Sequence, residues 1–246
     1  MEDDLEQLSE GLNHYGISCS TDLTDRLHTY YLSLIEKNRQ VNLTAITEWK
    51  DVVEKHFLDS LSLLFFRSPD VLSGKKILDL GTGAGFPGIP LAIVLPETQF
   101  VLTDSLKKRT LFLEEICAKL DLPNVTVIHA RAEDLGKEVP YREQFDFVLS
   151  RAVANLSVLS EYCLPFVKTD GFFCPYKAEE ISDETAEASY AIKELGGELS
   201  STEHFIVPTT DLPRTILFIQ KKKPTPSRYP RKAGTPAKSP LKKGAK

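Results

Sequence analysis

A chain of 246 residues, 41% of them hydrophobic, can bury a sizeable core and is near the upper size of one domain, so one principal domain with attachments is expected. No run of eighteen apolar residues occurs, which argues against a membrane-spanning helix. The four cysteines (Cys19, Cys117, Cys163, Cys174) form no CxxC pair and stand at no metal-ligand spacing, which argues against a disulfide framework or a metal site. The net charge of −5 conceals an asymmetry: residues 221–246 hold ten Lys or Arg and no Asp or Glu, so they carry +10 while residues 1–220 carry −15. An acidic body with a basic tail suits a polyanionic partner, although a solvated end with no partner has the same composition.

The first ten residues, MEDDLEQLSE, lack the basic start and apolar core of a signal peptide, so a cytoplasmic protein is expected. Leu23, Leu27, Tyr30, Tyr31, Leu34 and Ile35 recur at helical spacing, with Thr21 or Asp22 as a cap. A second helical pattern runs from about Glu48 to Phe66, with Trp49, Val52, Val53, Phe57, Leu61 and Leu64 on one face. Residues 1–70 therefore predict an N-terminal helical cap, closed by the punctuation Ser68, Pro69, Asp70, Ser73, Gly74.

From Lys76 the pattern alternates between strand and helix. Strands are predicted at Ile77–Leu80, Phe100–Thr103, Val125–Ile128, Phe145–Leu149 and Gly171–Cys174, with helices near Gly88–Val94, Lys107–Leu120, Leu156–Phe166 and Glu179–Leu195. Two further strands, Glu198–Val207 and Thr215–Gln220, have no helix between them and predict a hairpin. The fold class expected is α/β: a doubly wound, mostly parallel seven-stranded sheet spanning residues 71–220. Residues 221–246, with five prolines and few apolar side chains, predict a flexible basic tail.

In such a sheet the ligand lies beyond the carboxyl ends of the strands. After strand one comes LGTGAGFPG, where Gly81, Gly83 and Gly85 let a ligand approach the backbone, but Phe86 stands where a dinucleotide fingerprint would place its third glycine. After strand two comes Asp104, 23 residues beyond Gly81, placed either to accept both ribose hydroxyls or to cap the next helix. The loop after strand three holds Arg131, Ala132 and Glu133; a base edge can be read there by the Glu133 side chain or the Ala132 backbone, or the loop is plain surface. Arg151, set among apolar residues after strand four, pairs with a carboxylate or meets a ligand. After strand five, Tyr176 suits base stacking and Lys177 a phosphate, and both are also ordinary rim residues. His56 and Asp59, three apart on a helix, read as a structural hydrogen-bonding pair before a catalytic one. No G-x-S-x-G or paired-carboxylate site supports a hydrolase.

Taken together, Asn42-Leu43-Thr44, His56 with Asp59-Ser60, Asp79 to Pro90, Asp104-Ser105 with Lys108-Arg109 and Phe112-Leu113, Arg131-Ala132-Glu133, Ser150 to Ala154 (with Ala152), Pro213 to Ile216 and the ending YPRKAGTPAKSPL make a pattern. It resembles the class I S-adenosylmethionine-dependent methyltransferases, and within them the bacterial small-subunit ribosomal RNA methyltransferase G family. The resemblance covers nearly all the chain from about Tyr31. It implies S-adenosylmethionine as cofactor, without a metal, and methyl transfer to N7 of a guanosine in the 530 loop of 16S rRNA (guanosine 527). The partner implied is 16S rRNA or the 30S subunit, and a monomer without an obligate protein partner is expected.

By the same resemblance, cofactor contacts fall at Gly81, Gly83, Phe86, Asp104, Ala132, Glu133 and Arg151. From their places after strands four and five, Arg151 and Lys177 are positioning candidates; and because an acidic body repels a phosphate backbone, localised cations are expected to make the RNA contacts, at Arg131, Lys177, Arg214, Arg228, Arg231 and Lys232. Many relatives have Lys-Gly where this chain has Lys177-Ala178. A guanine N7 presents an in-plane lone pair with no proton to remove, which agrees with the absence of a recognisable general base and leaves alignment as the enzyme's task. A methyltransferase for another RNA or a small molecule, a non-enzymatic RNA-binding assembly protein and an NAD(P)-dependent oxidoreductase are the competing readings.

Overall fold

The computed structural model describes residues 2–151, 153–178 and 181–243. Its seven strands are β1 (Lys76–Leu80), β2 (Gln99–Asp104), β3 (Val125–His129), β4 (Phe145–Arg151), β5 (Val167–Lys177), β6 (Gly197–Ile206) and β7 (Pro213–Lys221), in the order β3-β2-β1-β4-β5-β7-β6. The pairs β1/β4, β2/β3 and β4/β5 are parallel and β7 runs antiparallel to β5, so the expected mostly parallel seven-stranded α/β sheet is present. The strands read as apolar runs because both faces are covered: Ile77, Leu78, Val148 and Leu149 are fully buried.

Contacts gather the chain into two units, the first comprising Met1–Gly74, Thr82–His129 and Ile206–Leu212. It opens with α1 (Glu2–His14), a helix absent from the sequence reading, and α2 (Thr21–Val41). Leu23, Leu27, Tyr30 and Leu34 bury one face of α2, as their spacing predicts, but Ser20 is the cap, its Oγ accepting the Leu23 N–H at 3.2 Å. The helical stretch expected over 48–66 is composite: α3 (Trp49–Val52), a π-helical turn over Val53–Leu58, α4 (Asp59–Leu61) and a 3-10 turn over Ser62–Phe65. Val52, Val53, Phe57 and Leu61 are fully buried despite the change of pitch. After α5 (Pro69–Leu72), this unit also holds α6 (Gly88–Val94) and α7 (Lys107–Lys119).

The second unit comprises Lys75–Gly81, Ala130–Phe205 and Pro213–Lys246, and contains α8 (Ala132–Leu135), α9 (Leu156–Cys163), α10 (Ser182–Glu194) and α11 (Thr235–Lys238). The start expected for α10 at Glu179 falls outside the described residues, while its end is as read: Gly196, at φ +87°, follows the last turn and donates its N–H to the Lys193 carbonyl at 3.1 Å.

The tail corrects the sequence reading. Its described residues, through Lys243, are not a flexible extension: Tyr229, Pro230 and Pro236 are buried. Lys221 ends β7 fully buried, with Nζ donating to the carbonyl of Leu164 and the hydroxyl of Thr225 and lying 3.2 Å from Glu143. Composition misled because the segment finds carboxylates to meet its cations, and its prolines reduce the entropy that ordering costs. Arg231 pairs with Glu161, Arg228 with Glu194 and Lys221 with Glu143.

Candidate functional site

The first unit supplies the turn after β1 and the end of β2. The Asp104 carboxylate, 4% exposed, accepts the N–H of Gly83 at 3.1 Å and of Leu106 at 2.8 Å, and the Arg109 guanidinium lies 3.1 Å away. Asp104 thus holds the backbone that leads into α7 through the Leu106 N–H, although α7 has Leu106 at its N-cap and no side-chain cap. A carboxylate offers about four lone-pair sites, and three donors leave one for a ligand hydroxyl. The buried Nε of Arg109 has no acceptor among the described residues, which a ligand oxygen or water beside Asp104 would supply.

The N-terminal helices shape this turn from behind. Tyr30 donates its hydroxyl to the Ala84 carbonyl at 2.6 Å, and a Cβ on Gly85, at φ +108°, would lie 2.7 Å from that hydroxyl. Phe86 is 5% exposed, its ring stacked on His56 (centroids 4.4 Å apart) and tilted against Tyr30 (5.3 Å). His56 Nε2 is 2.9 Å from the Thr44 hydroxyl. Phe86 therefore spends its ring on the helical packing of its own unit. Tyr30 was read only as a core residue, and its polar function has no signal in helical periodicity.

The second unit supplies the remaining candidates. The strand order reverses at β1/β4, the switch point where α/β sheets bind ligands. There Ser150 Oγ donates to the Leu80 carbonyl at 2.9 Å, and a Cβ on Gly81, at φ +72°, would lie 2.7 Å from a Val153 methyl. Only glycine fits so close beneath the loop after β4. Arg151 ends β4, half-buried, in register with Tyr176 of β5; Tyr176 is 4% exposed, which leaves no face for base stacking. Ala152, in the same motif, lies outside the described residues.

Lys177 donates to the Ala154 carbonyl (3.1 Å) and pairs with Glu184 (2.7 Å), whose carboxylate also accepts the Leu156 N–H at 2.5 Å. The lysine thus ties the loop that follows Arg151 to α10, and Glu184 is a participant the sequence reading missed. After β3, Arg131 is exposed, Ala132 half-buried, and the Glu133 carboxylate, 5% exposed, accepts the Gly234 N–H at 2.8 Å. Of the other cationic candidates, Lys232 is exposed and Arg214 half-buried. Arg228 and Arg231 are already engaged by Glu194 and Glu161.

A family model described as rRNA small subunit methyltransferase G matches residues 23–212. A ribosomal RNA small subunit methyltransferase G from Lachnoclostridium phytofermentans is 47% identical over 232 residues, covering 94% of this chain and 95% of its own. A protein of the same name from Alkaliphilus oremlandii is 48% identical over 242 residues, covering 98% and 99%. Among solved structures, a SAM dependent methyltransferase from Aquifex aeolicus shares the fold with a TM-score of 0.52 at 17% identity, over 69% of this chain and 93% of its own.

Proposed function

Since the chain belongs to the rRNA small subunit methyltransferase G family, we propose that it transfers a methyl group from S-adenosylmethionine to N7 of guanosine 527 in the 530 loop of 16S ribosomal RNA. The observation that carries this reading is kinship along almost the entire chain: 48% identity over 98% of it to a relative of that name. The residues after the strands fit the cofactor. A buried carboxylate aimed by three donors suits a ribose, and Gly83, with open space where a Cβ would stand, suits close approach of the ligand to the turn.

S-adenosylmethionine, when bound, supplies an activated methyl on a sulfonium sulfur. The protein's part is position and electrostatics. Asp104 holds a ribose hydroxyl, Gly81 and Gly83 present backbone to the ligand, and Ala132 and Glu133 define the adenine side. Phe86 acts by holding the glycine turn in place, with its ring in the packing of the N-terminal helices. Arg151 borders the cofactor and the target base, and Lys177 positions the loop that follows Arg151.

The attacking N7 lone pair lies in the base plane and carries no proton, so no side chain has to act as a general base; the reaction rests on in-line alignment at near-attack distance. N7 faces a groove that is deep and narrow in A-form RNA, so the target base must sit in an irregular loop or leave its stack. Arg131, Arg214 and Lys232 are the cations placed to meet phosphates, and the site of action is the cytoplasm, on 16S rRNA or the 30S subunit. Calorimetry with S-adenosylmethionine and with NAD, followed by transfer of labelled methyl to 30S subunits, tests the reading. Binding of the first ligand alone together with label in 16S rRNA supports it; NAD binding, or no transfer, overturns it.

A further inference from the structure

From the contacts between the C-terminal segment 224–241 and α8 we infer that this segment is a strap that positions the adenine side of the proposed cofactor site. The inference rests on the cofactor reading above. Helix α8 has four residues, too short to hold its shape unaided, and it carries Ala132 and Glu133. The strap grips it at both ends. Gly234 donates its N–H to Glu133 Oε1 at 2.8 Å, and Arg142 Nη1 donates both to the Gly136 carbonyl that follows α8 (2.9 Å) and to the Tyr229 carbonyl of the strap (2.8 Å). Pro230 closes on the same residue, its Cγ standing 3.2 Å from where a Cβ on Gly136 would be.

The strap is anchored for this task. Arg231 makes a two-pronged pair with Glu161, a fully buried carboxylate on α9, with Nε 2.9 Å from Oε1 and Nη2 2.6 Å from Oε2. Its backbone N–H donates to the same carboxylate at 2.8 Å, and Ser157 of α9 donates to the Leu241 carbonyl at 3.0 Å. A buried carboxylate left without these donors is costly, so the strap has one seat and not many. Arg231 and Gly234 are therefore positioning residues: Arg231 fixes the strap, Gly234 fixes Glu133, and Glu133 serves the strap with its side chain while α8 serves the ligand.

The test uses the full chain and reads S-adenosylmethionine affinity by calorimetry alongside the separate KM values for S-adenosylmethionine and for 30S subunits. Arg231→Ala releases the strap from its seat on α9, and Glu133→Ala removes the acceptor through which the strap holds α8. Each is expected to weaken S-adenosylmethionine binding by about tenfold, the value of one hydrogen bond to a charged group. The double variant is expected to lose no more than either single one, with KM for 30S subunits unchanged. Wild-type affinity in Arg231→Ala or in Glu133→Ala, losses that add in the double variant, or a rise in the 30S KM alone, overturns the inference while leaving the cofactor reading standing. Wild-type protein that binds no S-adenosylmethionine overturns both. Should Arg231→Ala fail to fold, Arg231→Lys, which keeps the charge but not the two-pronged pair, decides: wild-type affinity in it overturns the inference.

Discussion

The carboxylate of Asp104 accepts the backbone N–H of Gly83 at 3.1 Å, so the last residue of β2 fixes the turn that follows β1. One side chain thereby serves two purposes, holding the glycine turn in shape and offering a remaining lone pair to a ribose hydroxyl. Asp104→Ala should lose both. Its S-adenosylmethionine affinity is expected to fall by at least about tenfold, the scale of a charge-assisted hydrogen bond, as read by calorimetry. An unchanged affinity would remove Asp104 from the cofactor site.

Tyr30 links the N-terminal helices to the same turn through its 2.6 Å hydrogen bond to the Ala84 carbonyl. Tyr30→Phe keeps the ring packing on Phe86 and Phe57 and deletes only the hydroxyl. Stability is expected to fall by about 1–3 kcal/mol, because a buried carbonyl loses its donor. Urea unfolding checks the stability. The S-adenosylmethionine affinity should fall with it, since the turn loses its rear support.

Lys221 gives the fold a pH dependence. Burial, partly offset by the Glu143 carboxylate, lowers its pKa from 10.5 to about 8. Below pH 8 the lysine is charged in both the folded and unfolded states, and the folded state bears the full cost of burying that charge. Between about pH 8 and 10.5 the unfolded state binds the extra proton, so this group's contribution favours folding increasingly as pH rises. Lys221→Met should unfold more readily at pH 7, because Glu143 and the carbonyl of Leu164 lose a partner. In unfolding curves at several pH values, the margin of wild type over this variant should widen from pH 8 to 10.5. A constant margin would show that the lysine does not titrate in that window.

Arg151 stands at the end of β4 beside the strand-order reversal. Arg151→Ala is expected to lower kcat on 30S subunits by about a hundredfold, the scale of losing one preorganised electrostatic contact in a transition state. Single-turnover methyl transfer measures it. Normal turnover would confine Arg151 to a structural part.

Much of this was legible in the sequence, for reasons that differ from residue to residue. The strands were legible because a sheet covered on both faces demands continuous apolar runs such as Phe147-Val148-Leu149. The position of Asp104 beside the glycine turn was legible because the residues that end one strand of such a sheet lie at the same edge as those that end its neighbours. Phe86 was visible but its use was not: its stacking on His56 joins residues thirty apart, which no local period reveals. Glu184 and Glu161 were missed for the same reason, since one meets Lys177 through a loop and the other meets Arg231 seventy residues on. The tail was misread because composition reports what a segment would do in water, and Glu161, Glu143 and Glu133 are supplied from elsewhere in the chain.

The central claim is the identity of the atom that receives the methyl group. The most direct measurement offers the protein and labelled S-adenosylmethionine to 30S subunits, free 16S rRNA and tRNA from cells lacking this activity, then maps the product by strand cleavage at 7-methylguanosine. The expected result is a single labelled site, guanosine 527 of 16S rRNA. Label confined to tRNA or protein, or 16S label that resists cleavage at 7-methylguanosine, would contradict it.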